Sequence, residues 1–287
     1  MLRRIRAATV ACVGAVIASV LITGAVSFVP VAPAAGAATT TTSPAAVQPA
    51  RCTRLGVPTY MEFDVAGTQT AAVLAAQPDP SFVVLNPESG PGPNAEPGFV
   101  AASRTLRAAK VGVVGYVATG YGKRPESEVL QDVEHWRAWY GTRNVFFDEA
   151  SSDRSHLARY RRYVKAVHDA GGRAILNPGT YPDRAYVELA DLIVTFEGPA
   201  ADYASAVVPK WANKYAATKF WHLVYATPAD QASATVDRSR SLRAGYVYVT
   251  SGTLPDPWSA LPQYWADELS ATATPASCAS AANPWTK

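Results

Sequence analysis

Apolar residues along this chain gather in short dense runs, separated by stretches in which they recur every three or four positions. The runs are "VPTYMEFD", "FVVLNPES", "VGVVGYVATG", "NVFFDEA", "AILNPG", "LIVTFEG", "FWHLVYAT" and "GYVYVTSG". Each is apolar through most of its length and rich in Val, Ile, Phe and Tyr, which predicts a strand buried on both faces. The stretches between them carry helical stripes. Val129, Val133, Trp136 and Tyr140 form one, Leu157, Tyr160, Val164 and Val167 a second, and Trp258, Leu261, Trp265 and Leu269 a third after the last strand. Gly171 and Gly172, just before "AIL", suit a left-handed helix end.

Strands alternating with helices predict a parallel sheet covered by helices, and eight such units in succession predict a single-domain α/β fold, the (β/α)8 TIM barrel. An open doubly wound sheet is the alternative. It leaves its ends free to lie apart, whereas a barrel brings the first and eighth units together.

The termini add an export signal and a tether. Arg3, Arg4 and Arg6 precede an apolar run from Ala7 to Phe28 and the small-residue stretch "APAAGAA", the pattern of a secretory signal peptide over residues 1–37 with cleavage after Ala37. Residues 38–51, rich in Thr, Pro and Ala, read as a flexible linker, and residues 52–287 as the folded domain. The expected product is secreted or held at the cell surface, has no stable membrane association once the leader is cleaved, and is a monomer. Two cysteines remain outside the leader, Cys52 and Cys278, one near each end of the domain. In an oxidising compartment they are expected to form a disulfide. Leader removal takes three of the 26 basic residues, leaving as many as the 23 acidic ones. A neutral chain is a poor partner for nucleic acid.

In a barrel of this kind the reactive face lies at the carboxyl ends of the strands. Those ends carry Glu62 and Asp64, Asn86 and Glu88, Thr119 and Tyr121, Asp148 and Glu149, Asn177, Glu197, Tyr225, and Thr250 with Ser251. Two carboxyl groups across a substrate are the minimal equipment for glycoside hydrolysis, and strands four and six bring Asp148, Glu149 and Glu197 to one side of the mouth. Acids after a strand also cap the next helix, but before "LARYRRY" that role is open to Asp153 or Ser155. Asn86 and Asn177, each in an "LNP" context, either hydrogen-bond sugar groups or shape their own turns. Tyr60, Tyr121, Tyr181, Trp221 and Tyr225 offer rings for stacking or for the core. The chain has no G-x-S-x-G, P-loop or G-x-G-x-x-G motif, its histidines are scattered, and neither a cofactor nor a metal is expected.

Taken together, "VPTYMEF", "LNPESGPG", "GYVATGYGKRP", "DVEHWRAWY", "FFDEA", "LNPG", "ADLIVTFEG" and "HLVY" closely resemble the spherulin-4 family from about Val57 to about Thr250. The resemblance implies a (β/α)8 glycoside hydrolase that cleaves α-1,4-linked N-acetylgalactosamine within galactosaminogalactan-type exopolysaccharide of a biofilm matrix. It places the essential acids at Asp148, Glu149 and Glu197. The resemblance thus implies an endo-acting enzyme with those three acids as catalytic groups; a retaining mechanism is expected of the pair, and among the strand-end residues Glu62, Asp64, Asn86, Tyr121, Asn177 and Tyr225 are expected to bind the polysaccharide. The alternative is a matrix protein that binds polysaccharide in the same cleft without cutting it. A metal-dependent hydrolase or deacetylase built on the carboxylates is a third reading.

Overall fold

The computed structural model describes residues 52–64, 69–75, 80–272 and 282–286. The expected leader, the linker 38–51 and Cys278 lie outside the described residues. Eight parallel strands close into a barrel in chain order: β1 (Arg54–Thr59), β2 (Phe82–Leu85), β3 (Gly112–Ala118), β4 (Asn144–Asp148), β5 (Ala174–Leu176), β6 (Leu192–Pro199), β7 (Phe220–Tyr225) and β8 (Tyr246–Val249). β8 returns to pair with β1. Each of the eight apolar runs overlaps a strand of the barrel, but the first is corrected: β1 begins at Arg54 and ends at Thr59, so residues 60–64, with Glu62 and Asp64, lie in the loop beyond the strand end.

The described helices are α1 (Gln69–Ala75), α2 (Pro97–Ala108), α3 (Glu126–Tyr140), α4 (Leu157–Asp169), α5 (Arg184–Leu189), α6 (Ala200–Tyr203), α7 (Ala232–Ser241) and α8 (Trp265–Thr272). The first two stripes are buried faces of α3 and α4. Trp136 shows how closely α3 sits on the sheet: a Cβ on Gly115 would fall 2.1 Å from its ring, and its Nε1 donates to the Tyr116 carbonyl at 2.7 Å. Only glycine in β3 leaves room for the indole. The third stripe is corrected, since α8 begins at Trp265 and Trp258 and Leu261 lie in the loop before it. Pro255, Pro257 and Pro262 break that stretch by removing N–H donors and crowding the preceding turn.

Inward-facing rings fill the barrel from the base. Phe82 meets Trp221 edge-on with ring centres 4.9 Å apart, and Trp285 lies 4.8 Å from Phe82 at the amino-terminal end. The Trp285 Nε1 donates to the Tyr246 hydroxyl at 3.0 Å, and its carbonyl accepts from Asn144 Nδ2 at 3.0 Å. Residues 282–286 thus plug the floor with a ring whose polar atoms are satisfied. Cys52 stands just before β1, near where β1 pairs with β8.

At the β1–β8 seam the two strands pair only at Arg54 with Tyr246 and Leu55 with Val247. Thr250 N–H bonds Val224 of β7, so the N–H of Val249 points the other way, towards the gap. A carboxylate oxygen of Glu268, from α8, accepts that N–H at 2.6 Å.

Candidate active site

Asp148 ends β4 and Asn177 immediately follows β5, both at the carboxyl-terminal mouth. Glu197, on β6, reaches the mouth by a bulge. The β6–β7 register slips between Val194 and Phe196. Thr195 meets His222 Nε2 at 3.1 Å, and the Phe196 ring packs 4.6 Å from that of Tyr203, so two successive side chains leave the interior. Glu197 is thereby turned inward. His222 also meets the Tyr203 hydroxyl at 2.7 Å, and burial pushes its pKa down to about 3, so it supports the bulge as a neutral group.

One amide nitrogen holds the two acids together. Asn177 Nδ2 donates to Asp148 Oδ1 at 2.7 Å and to Glu197 Oε2 at 2.6 Å, while Asn177 Oδ1 accepts the Gly179 N–H at 2.9 Å. Both N–H bonds of that nitrogen are occupied, so Asn177 has no donor left for a sugar. The other Asp148 oxygen accepts from the Tyr116 hydroxyl at 2.7 Å.

Burial, then the charge of Asp148, pushes Glu197 up to about 7; hydrogen bonds from Asn177 and the Trp258 side chain oppose the rise. Asp148 is also raised by burial, against which the Tyr116 hydroxyl works most strongly. Tyr116 itself is pushed far up by burial and then by the Asp148 charge. Two carboxyl groups in one water-poor site thus hold their protons differently: Asp148 has the extra phenolic donor favouring its ionised form, and Glu197 has its acid form present at neutral pH.

Glu149 follows at once with φ 51°, a left-handed backbone that is uncommon outside glycine. Its carboxylate accepts the Gly120 N–H at 3.1 Å, and its carbonyl accepts the Tyr121 N–H at 2.6 Å and the Thr119 hydroxyl at 2.8 Å. Asp153 takes the capping role ahead of α4, accepting the Ser155 N–H at 2.7 Å.

A family model for spherulation-specific family 4 matches residues 57–272. The chain belongs to this family. Spherulin-4 of Physarum polycephalum is 32% identical over 216 residues, which cover 69% of this chain and 63% of that relative. The match therefore spans less than two thirds of the relative's length. The crystal structure of Aspergillus clavatus Sph3 in complex with GalNAc is similar with a TM-score of 0.68 and 25% identity, covering 78% of this chain and 98% of that one.

In this member of spherulation-specific family 4 the remaining expected binding residues divide. Tyr225 stands half-buried at the end of β7 with its ring edge-on to Trp258, and its phenol is raised by burial and then by the charge of Glu197. Tyr121 is exposed; its phenol is raised by burial, then by Glu149, Asp148 and Glu197. Asn86 accepts the Gly90 N–H at 3.0 Å with its side-chain oxygen and so shapes its own turn. Glu62 and Asp64 are exposed in the loop after β1, where the backbone of Phe63 and Asp64 packs on Gly98 of α2. Tyr181 and Trp221 belong to the packing: Tyr181 meets Trp211 and Phe220, and Trp221 meets Phe82 and Phe146.

Three site residues escaped the strand-end reading or were misplaced by it. Tyr116 lies two positions below the end of β3, and only its length carries the hydroxyl to Asp148. Tyr60 packs half-buried against it, with ring centres 5.5 Å apart, and its phenol is raised by desolvation and then by the Asp148 charge. Trp258 comes from the β8–α8 loop, where the Asp256 carboxylate accepts its backbone N–H at 3.2 Å. Proline spacing around Trp258 was the available signal. Among the described residues no three His, Cys, Asp or Glu side chains are grouped to hold a metal ion.

Proposed function

We propose that this protein is an endo-acting glycoside hydrolase that cleaves α-1,4-linked N-acetylgalactosamine or galactosamine within an exopolysaccharide. In this reading Glu197 is the general acid and base, and Asp148 is the nucleophile. The observation that carries it is the Asn177 amide nitrogen shared by Asp148 and Glu197. Two oxygens bonded to one nitrogen lie closer together than two hydrogen-bond lengths, below the about 6.5–9.5 Å that an inverting pair needs to admit a water between its carboxyl groups. The separation suits retention, in which Asp148 attacks the anomeric carbon as Glu197 protonates the leaving oxygen. Glu197 then deprotonates the water that releases the glycosyl-enzyme. The GalNAc in the Sph3 complex supports an amino-sugar substrate.

The leader over residues 1–37 would export the chain to where such polymers lie, with a disulfide between Cys52 and Cys278 closing the domain. The test is release of soluble oligosaccharides from a galactosamine-containing exopolysaccharide, with Glu197→Gln run beside the wild type and both checked for folding. Oligosaccharide ladders from the wild type alone are expected. Binding by both proteins without cutting would make the barrel a polysaccharide-binding protein, and neither cutting nor binding would overturn the substrate.

A further inference from the structure

Tyr121 is the one aromatic side chain among the large exposed hydrophobic residues of the described chain, at 57% exposure. It occupies the centre of a turn in which three successive residues are left-handed: Gly120 at φ 57°, Tyr121 at 55° and Gly122 at 77°. The flanking glycines accept that backbone without strain; the tyrosine does not. Gly122 is needed twice, because a Cβ there would also fall 2.6 Å from the His156 ring. A strained, exposed aromatic residue persists only where its surroundings fix it, and they do so from several directions.

Most of that fixing comes from Glu149, itself left-handed. It takes the Gly120 N–H on its carboxylate and the Tyr121 N–H on its carbonyl. Ser151 Oγ donates to the Tyr121 carbonyl at 2.6 Å, and Arg159 donates to the Gly122 carbonyl. Two non-glycine residues in an unfavourable conformation therefore face each other across one set of hydrogen bonds at the mouth of the barrel. A backbone that is fixed before substrate arrives leaves only the rotations of the ring itself to be lost on binding, which favours affinity.

Resting on the hydrolase reading above, we propose that Tyr121 is a stacking platform for a sugar ring of the polymer next to the residue being cleaved, and that Glu149 is the positioning residue that holds the platform. Glu149 then acts on substrate through the Gly120–Gly122 turn rather than by exchanging a proton or forming a bond. A sugar presents a face of C–H groups that packs on the flat ring, so the subsite takes a neutral or N-acetylated ring of an extended chain. Its contribution grows with the length of the bound oligosaccharide.

The experiment measures kcat and KM on α-1,4-linked N-acetylgalactosamine oligomers of graded length for the wild type, Tyr121→Ala, Tyr121→Phe, Glu149→Ala and Glu149→Gln, each checked for folding. Tyr121→Ala is expected to raise KM about tenfold on long oligomers and far less on the shortest one cleaved. Tyr121→Phe, which keeps the ring, should recover most of that loss. Glu149→Ala should reproduce the length-dependent rise in KM, and Glu149→Gln, whose amide oxygen still accepts the Gly120 N–H, should rescue it. A fall in kcat that is the same at every length and equal in Glu149→Gln and Glu149→Ala would place Glu149 in the chemistry and overturn the proposal. So would a Tyr121→Ala protein whose KM does not depend on length. If the wild type binds these oligomers without cutting them, dissociation constants replace KM and the same length comparison decides. If it neither cuts nor binds them, the substrate reading fails and this subsite falls with it.

Discussion

At the mouth of the barrel Asp148 and Glu197 stand half-buried side by side, while on its flank Glu268 is fully buried against the backbone of β8. Burial raises the pKa of all three acids. What differs is the company. The Asp148 oxygens accept from Tyr116 and Asn177, and Glu197 from Asn177 and Trp258. Glu268 accepts one backbone N–H, and its other oxygen has no hydrogen-bond partner among the described residues. Donors at the mouth favour the ionised form of Asp148 beside a Glu197 that still holds its proton near neutral pH. On the flank the single N–H fills a gap in the β-ladder, and among the described residues no second donor joins it in favouring the charged form. Burial alone makes a reluctant acid; a shared donor and a second acid make the pair that the proposed hydrolysis requires.

The sharpest break between the two regions is expected in catalysis. Glu197→Gln and Asp148→Asn should each lower kcat/KM by about 10²–10⁴-fold while leaving the melting temperature within a few degrees of the wild type. Glu268→Gln should spare activity, since Glu268 lies behind β8. An equal loss from all three would mean that the mouth acids act through stability. The proposed mechanism also needs Glu197 protonated and Asp148 ionised. Activity should therefore fall as pH rises through about 7, where Glu197 loses its proton, and fall again in acid as Asp148 gains one. In Asp148→Asn the neighbouring charge that raises Glu197 is gone, so the Glu197 carboxyl should titrate at lower pH by carbon NMR.

A smaller effect, on stability alone, is expected at Glu268. Its folded pKa lies well above the ordinary glutamate value of 4.5, so on raising the pH the unfolded chain ionises first while the folded chain keeps its proton. Stability is fully present below pH 4.5 and is lost as pH rises towards the folded pKa, at about 1.4 kcal/mol per pH unit. Glu268→Gln removes that slope. Its melting temperature relative to the wild type should climb with pH, by about 2–4 °C for each kcal/mol. A difference that does not change between pH 4.5 and 7.5 would show that Glu268 titrates as an ordinary acid and that the contrast with the mouth is false.

How much of this could be read from the chain follows from how local each feature is. The eight strands were legible because each is buried on both faces and therefore apolar for most of its length. Asp148, Glu149 and Glu197 were legible as acids at strand ends. The role of Asn177 was not, because sequence names the amide and not the atoms it meets; only the fold brings both carboxylates to one nitrogen. The bulge that turns Glu197 inward depends on Thr195 and Phe196 finding His222 and Tyr203 outside the sheet, a tertiary contact. Trp258 was hidden by a spacing that imitates a helix. Glu268 sits beside an apolar residue in an amphipathic helix and reads as a surface acid, since its burial depends on β1 and β8 parting company far away in sequence.

The finest distinction concerns the two donors at the mouth. Tyr116 bonds Asp148 alone, whereas Asn177 bonds both acids. Tyr116→Phe removes a donor that favours the ionised form of Asp148, so its pKa rises further and the acid limb of the pH–rate profile should move to higher pH by about one unit, with the limb near 7 in place. Asn177→Ala withdraws a donor from both groups and should move both limbs upward. If Tyr116→Phe instead shifted only the alkaline limb, the group that must be protonated would be Asp148, and the roles of nucleophile and acid would be exchanged between β4 and β6. The environment argues against that exchange, because a phenol placed 2.7 Å from a carboxylate oxygen stabilises its charge, and a nucleophile must be charged to attack.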